Sequence, residues 1–424
     1  MVYARDLKSL GLKTMRVRAP PSAPQFFGYY PMNIIKTANK NIKLYVFIRI
    51  FAKRVFLPLS AIFFIENAGF TIRDVGLLAA FYSFIQLLVE IPTGYFADKV
   101  GRVASIRMGA ISCAIATMLY IIFTNKFGIF AGAMFEAIGY SFLGGAGEAL
   151  IHDSLVAKKQ THDYTRIMSK TMSISLVANA ILVSLVPMTY YFDPRYPFMI
   201  GTLAYLSLLF VTFFMHDLPR TISTAKFVIP QFKQIVGKRY ILMFGLTFGI
   251  ISGLYGSGID TFNVALKQFG IRPDLLGWIF GISSIVGAAI GPLIKYLSRI
   301  KLSYYLIIDV FVLSLTYLAA FTRSPYIVGF FMMLSISFFR YRKIIYQNYL
   351  LTIYPSNYKA TLVSTMNNLE QLNSVWLPIF ITYLATRTSL SLGLGITGLL
   401  TLLIFPFYHY STLRFFAKKA VVVV

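Results

Sequence analysis

Twelve apolar runs, most of them about twenty residues or longer, alternate along this chain with short polar turns. They fall at about 43–66, 74–97, 103–124, 127–156, 164–191, 196–216, 239–267, 274–297, 301–322, 325–353, 359–386 and 389–415. A bilayer's hydrocarbon core needs about twenty such residues per helix, so each run predicts one transmembrane span. The longest polar interval inside the series, about 217–238, divides the spans six and six. The pattern predicts an all-α membrane protein of twelve transmembrane helices in two six-helix bundles. The segments read as a basic tail (1–42), a first bundle (43–216), a linker (217–238), a second bundle (239–416) and a short tail (417–424).

Charge orients the spans. Turns after even-numbered spans hold Lys99 and Arg102, then Lys158 and Lys159, then Arg220, Lys226, Lys233 and Lys238, then Lys295, Arg299 and Lys301. The opposite turns hold mostly one base each: Arg73, Lys126, Arg195, Arg323 and Arg387. Basic turns stay on the cytoplasmic side, which places both termini, the linker and the Lys99–Arg102 turn there, in an inner membrane. Eight bases between Arg5 and Lys43, with the single acid Asp6, fit a cytoplasmic tail and contain no apolar stretch long enough for a signal peptide.

Composition agrees. The chain of 424 residues is 57% hydrophobic and 13% charged, more apolar surface than a soluble fold of this size hides. Its formal charge of +25 would suggest nucleic acid in a soluble chain. Here the bases lie in membrane turns, so lipid is the expected partner and nucleic acid is not. The one cysteine, Cys113, sits inside an apolar span and reads as a packing residue. It allows no intrachain disulfide and no thiolate metal cluster, and no cofactor is expected.

Between spans 2 and 3 stands Gly94-Tyr-Phe-Ala-Asp98-Lys99-Val-Gly101-Arg102. A tight charged turn between two membrane-length helices resembles the signature loop of the major facilitator superfamily of transporters. Gly94, Asp98, Lys99, Gly101 and Arg102 match it, while Val103 stands where a second base is usual. Gly291 and Arg299 repeat the spacing of Gly94 and Arg102 at the corresponding turn of the second half, with Lys295 in place of Asp98. The end of span 4, Gly144-Gly-Ala-Gly-Glu148-Ala-Leu-Ile-His-Asp153, and the approach to span 11, Pro355–Ser364, resemble the bacterial efflux-like branch. Span 5 lacks the glycine- and proline-rich motif of drug–proton antiporters: residues 164–191 hold no glycine and one proline, Pro187.

The resemblance implies a monomeric secondary transporter that moves a small molecule by rocking its halves around a central cavity lined by spans 1, 4, 7 and 10. Gly94, Asp98, Lys99, Gly101 and Arg102 would form its cytoplasmic latch. Gly94 and Gly101 would permit close approach and unusual backbone angles.

Charges at membrane depth cost at least about 2.5–3.5 kcal/mol each, and so point to cavities or partners. Span 10 holds Arg340, Arg342 and Lys343. Arg340 lies roughly 22 Å of helix from either end of its span. Arg340, Lys343 and Gln347 share one face at i, i+3 and i+7, while Arg342 points away. Span 1 holds Arg49, Lys53 and Arg54. Bases on spans 1 and 10, facing each other across a cavity, predict an anion site of Lys53, Arg54, Arg340, Lys343 and Gln347, since guanidinium forks suit carboxylate and phosphate. The competing reading is pairing with Glu90, Glu136, Asp260, Asp309 and Glu370. A coupling proton needs a desolvated carboxylate, for which Glu370, Asp260 and Glu136 are the candidates.

The sequence leaves other classes open. The pairs His152-Asp153, His162-Asp163 and His216-Asp217 occur in metal-dependent phosphohydrolases, so a membrane-embedded enzyme is one alternative. The pairs also fit hydrogen bonding between helix ends and loops. A non-transporting sensor and a drug or metabolite–proton antiporter are the others.

Overall fold

The computed structural model describes residues 32–218, 239–290, 300–353 and 359–417, and no strand occurs among them. The repeat of the signature turn at Gly291–Arg299, the linker bases and Pro355–Tyr358 lie outside the described residues, as do the side chains of Lys343 and Gln347.

Among the described residues, every apolar run becomes helix. Six helical stretches among the described residues are by themselves long and apolar enough to cross a bilayer: Ile72–Lys99, Arg102–Ile122, Lys126–Ala157, Thr161–Tyr191, Ser303–Thr322 and Leu390–Leu413. The remaining spans are shorter, interrupted or charged at mid-length. Large apolar side chains such as Leu203, Phe210, Phe311 and Leu403 stand exposed on the outer faces, as lipid-facing positions do. Inside, Phe56, Phe63, Phe64, Tyr120 and Phe198 pack ring to ring in the first half, and Phe248, Tyr255, Tyr305 and Tyr346 belong to the core of the second.

Three spans are interrupted near the cavities. Span 1 is the helices Met32–Phe51 and Ser60–Ala68, joined through a short 3-10 turn at Leu57–Leu59. Pro58 explains the break: its ring has no N–H and would clash with the carbonyl four residues back. The carbonyl of Ala52, released from the helix ladder, accepts the Tyr140 hydroxyl at 2.9 Å. Span 4 breaks at Gly144-Gly145, where Gly145 takes φ +73° between Lys126–Leu143 and Ala146–Ala157. Span 7 divides at Gly258 into Arg239–Ser257 and Ile259–Gln268.

The first helix starts at Met32, not near residue 43. Its early turns are polar yet packed: Ala38 and Asn41 are fully buried, and Asn41 bonds the carbonyl and N–H of His216 at the end of span 6. Hydropathy alone misses such a turn, because its burial comes from another helix end and not from lipid.

The halves meet along span 2 against span 11 and span 5 against span 8. Contact is tight at the end opposite the Gly94–Arg102 turn. A Cβ on Gly76 would collide with Thr382, and one on Gly281 with Ser184. Lys267 of span 7 pairs with Glu66 at the end of span 1, whose other oxygen accepts the Tyr190 hydroxyl at 2.5 Å.

Candidate functional site

The breaks in spans 1 and 7 face one cavity of about 270 Å³ between the halves. Discontinuous helices at corresponding positions of two repeats are where transporters place their sites, because freed backbone groups and turn residues point inward. From the first half the cavity is lined by Arg54, Tyr82, Gln86 and Glu136, and from the second by Ser257, Asp260, Gln371 and Ser374. Gln371 donates to Gln86 across the seam. Phe56, Leu57, Phe64, Val75 and Leu78 form its apolar wall.

Arg54 is the centre of the first-half lining. Its Nε stands 2.6 Å from Glu136 Oε1, and the rings of Tyr82 and Tyr140 cover the guanidinium at 4.3 and 4.5 Å. Glu136 also accepts the Tyr120 hydroxyl at 2.7 Å. Tyr140 meets Tyr205 hydroxyl to hydroxyl at 3.0 Å. Asp260 approaches from the second half, with Ser60 beside it, in the field of both Arg54 and Glu136. Outside the Arg54–Glu136 pair, three buried polar atoms of this lining make no hydrogen bond: Arg54 Nη2, Ser257 Oγ and Asp260 Oδ1.

Lys53, the neighbour of Arg54, lines a second hollow of about 300 Å³ with Arg49, Tyr140, Glu148 and the Gly144-Gly145 break. Arg49 is ion-paired with Glu148 at 3.7 Å. Arg49 and, from the other half, Arg340 both contribute to the positive field at Lys53. Arg340 donates from Nη2 to Ser284 Oγ at 2.9 Å, and Asn179 of span 5 reaches the same hydroxyl at 3.3 Å.

Arg342, two residues on, faces the interior of its own half. Nε donates to both oxygens of Asp309 at 2.9 and 2.8 Å, Nη1 to Ser252, and Nη2 to Tyr408 at 3.3 Å. Tyr346 and Tyr408 donate to Asp309 as well, and Tyr255 to its carbonyl at 2.8 Å. Phe248 and Tyr346 stand over the guanidinium at 4.4 and 4.8 Å. Of the other carboxylates, Glu90 is exposed on span 2, and Glu370 is half-buried on span 11, its carbonyl bonded by Ser374.

The Gly94–Arg102 turn is built on Asp217. This carboxylate accepts the N–H groups of Arg102 and Val103 at 2.6 and 3.1 Å, capping the helix Arg102–Ile122 from the end of span 6. Gly101 sits at φ +157°, and a Cβ there would strike the Asp217 carboxylate. Arg102 pairs with Asp98 at 2.6 Å and approaches Asp153 at 3.9 Å. Gly94 is different from the expectation of close approach: a Cβ would meet nothing within 4 Å, because that face of span 2 is open in this conformer. Of the His-Asp pairs, His152-Asp153 lies inside the helix Ala146–Ala157, His162-Asp163 in the short turn Thr161–Asp163, and His216-Asp217 after span 6. His152 and His162 lie 3.9 and 3.6 Å from their own neighbours, and Asp217 caps Arg102–Ile122.

Sequence reasoning did not single out Tyr82, Gln86, Glu66 or Lys267, and it named Asp217 only as a member of a His-Asp pair. Only Asp217 carried a signal, as an acid facing a helix start in the family-like turn. The others depend on helix rotation and on pairing across the halves.

The profile of the Major Facilitator Superfamily matches residues 44–378. Among solved structures, a mutant of the nucleoside transporter NupG is similar at TM-score 0.75 and 13% identity, covering 90% of this chain and 99% of that one. A bacterial homolog of the human lysosomal transporter Spinster, inward-facing and unoccupied, is similar at 0.65 and 14%, covering 92% and 99%. A D-xylose-proton symporter is similar at 0.61 and 14%, covering 89% and 97%. No curated protein matches in sequence. At such identities the structural likeness shows the fold.

Proposed function

The chain belongs to the major facilitator superfamily, a multi-pass membrane transporter and not an enzyme, and from that premise we propose that it moves a small organic anion by proton-coupled alternating access. What supports this reading is the clustering of bases around Lys53: Arg49 shares its hollow, and Arg340 of the other half adds to the positive field there. Like charges from different halves, held at membrane depth, repel unless an anion or carboxylate joins them. An anionic group between Lys53 and Arg340, with Lys343 and Gln347 on the same helix face, relieves the repulsion and ties the two halves together. Glu370, Asp260 and Glu136 supply the carboxylates from which the coupling proton is carried.

In the same reading the turn of Gly94, Asp98, Lys99, Gly101 and Arg102 is the latch on the cytoplasmic face of an inner membrane. Both termini lie on that face, residues 43–216 and 239–416 form the rocking halves, and the unit is a monomer. The apolar wall of the cavity favours a second reading, an antiporter for drugs or apolar metabolites.

The test is binding and flux in proteoliposomes with a panel of organic anions, neutral solutes and lipophilic cations. Arg340→Gln is expected to weaken anion binding by about 2–5 kcal/mol, with the protein still folded. Unchanged anion affinity in a stable Arg340→Gln protein ends the anion reading, and preference for lipophilic cations selects the second one.

A further inference from the structure

The charges of the central cavity do not balance. Among the described residues, Arg54 is the one guanidinium in its lining, against the carboxylates Glu136 and Asp260. Glu136 holds it at 2.6 Å, and two tyrosine rings cover its faces. Its attraction for Asp260 is therefore shared and partly spent. What is left over is acceptor capacity on the second-half wall: Asp260 Oδ1 and Ser257 Oγ are both buried without a hydrogen-bond partner. Both line the cavity where span 7 divides, one at the end of the first helix and one in the first turn of the second. A carboxylate and a hydroxyl on one wall, each with an acceptor atom left over in a cavity at the small end of ligand pockets, suit a compact group with several N–H donors.

We propose that the transported solute carries a protonated amino group, seated on Asp260 and Ser257, in addition to its anionic group, and so is a small amino-acid-like zwitterion. The proposal rests on the anion reading, which assigns the other pole to Lys53 and Arg340. Lys53 and Arg54 are consecutive at the break of span 1, one lining each hollow. The anionic pole thus lies on one side of the break and the cationic pole on the other. Opposite poles engaging both halves give a reason for them to close on a zwitterion in preference to an anion alone. With Asp260 engaged by the amino group, Glu136 and Glu370 remain as the proton carriers.

Matched solutes that differ only in the amino group test this: glutamate against glutarate, leucine against isocaproate, phenylalanine against hydrocinnamate, and alanine against propionate. Affinity is measured by calorimetry on the full chain in nanodiscs, for wild type, Asp260→Asn, Ser257→Ala and Arg340→Gln, each checked for a wild-type melting temperature. In wild type at least one amino-bearing member is expected to bind about 10- to 150-fold tighter than its partner, as for a hydrogen bond to a charged group. Asp260→Asn should erase that ratio, Ser257→Ala should reduce it, and Arg340→Gln should weaken both members alike.

Equal or weaker binding of every amino-bearing member overturns the amino pole. If the des-amino anions then still lose affinity in Arg340→Gln, the anion reading survives alone. If they bind without sensitivity to Arg340, or no member of any pair binds, both fall. Should Asp260→Asn fail to fold, Ser257→Ala carries the test, and an unchanged ratio in that variant overturns the proposal.

Discussion

Among the guanidinium groups at membrane depth, those of Arg342 and Arg54 each have one carboxylate and a set of tyrosines. Arg342 is 2% exposed and Asp309 0%. Every donor group named on that arginine has a partner, and three tyrosine hydroxyls close the network around it. Arg54 is 23% exposed and Glu136 7%, on the wall of a cavity between the halves. Its Nη2 makes no hydrogen bond, and Asp260 of the other half lies in its field. The ingredients match, and the difference is closure. A buried ion pair whose remaining donors and acceptors are all met acts as a pin within one rigid body. A pair left partly unmet, at a seam that moves, is open to exchange of partners. Deep charge by itself therefore marks either a strut or a site, and the state of the last hydrogen bond decides which.

The sharpest way to break this comparison is to remove one partner of the closed network. Asp309→Ala should destabilise the protein by about 3–5 kcal/mol, because it strands a guanidinium with no route to water. Thermal melting in detergent reads the loss, and a wild-type melting temperature would end the strut assignment. Arg54→Gln should cost only about 1–2 kcal/mol, since Glu136 keeps the Tyr120 hydroxyl and borders a cavity into which water can enter. Flux in proteoliposomes should nevertheless vanish. A large stability loss with flux retained would make Arg54 a second strut.

The smallest contrast concerns hydroxyl groups alone. Tyr408→Phe removes a bond to Asp309 and one from Arg342 and should cost about 1–2 kcal/mol. Tyr82→Phe keeps the ring over Arg54 and should change stability by no more than about 0.5 kcal/mol. Equal effects in melting experiments would mean that the two environments are alike after all.

The sequence revealed the helices and the depth of the charges more readily than their pairing. Apolar run length announces every span, and Pro58 and the Gly144-Gly145 pair mark two of the breaks. Helical phase separates Arg342 from Arg340, and the structure turns the first to Asp309 and the second to Ser284. Pairing needs more than phase. Arg54 meets Glu136, and Asp260 joins them, only because three distant helices converge at one level. Nothing in local composition encodes that convergence. The cap on Arg102–Ile122 is hidden for the same reason: its carboxylate, Asp217, arrives from the end of span 6, far along the chain.

The seam opposite the Gly94–Arg102 turn has a thermodynamic consequence. Gly76 against Thr382 and Gly281 against Ser184 bring helix surfaces so near that no methyl group fits between them. Cohesion there is short-ranged dispersion, which fades within an ångström of separation and ignores dissolved ions. The charged link across it, Glu66 with Lys267, is about one-third exposed on each side and so adds little in physiological saline. Parting the halves at that seam is thus a peeling of close-packed surfaces, governed by temperature and by the lateral pressure of the surrounding lipid more than by ionic strength.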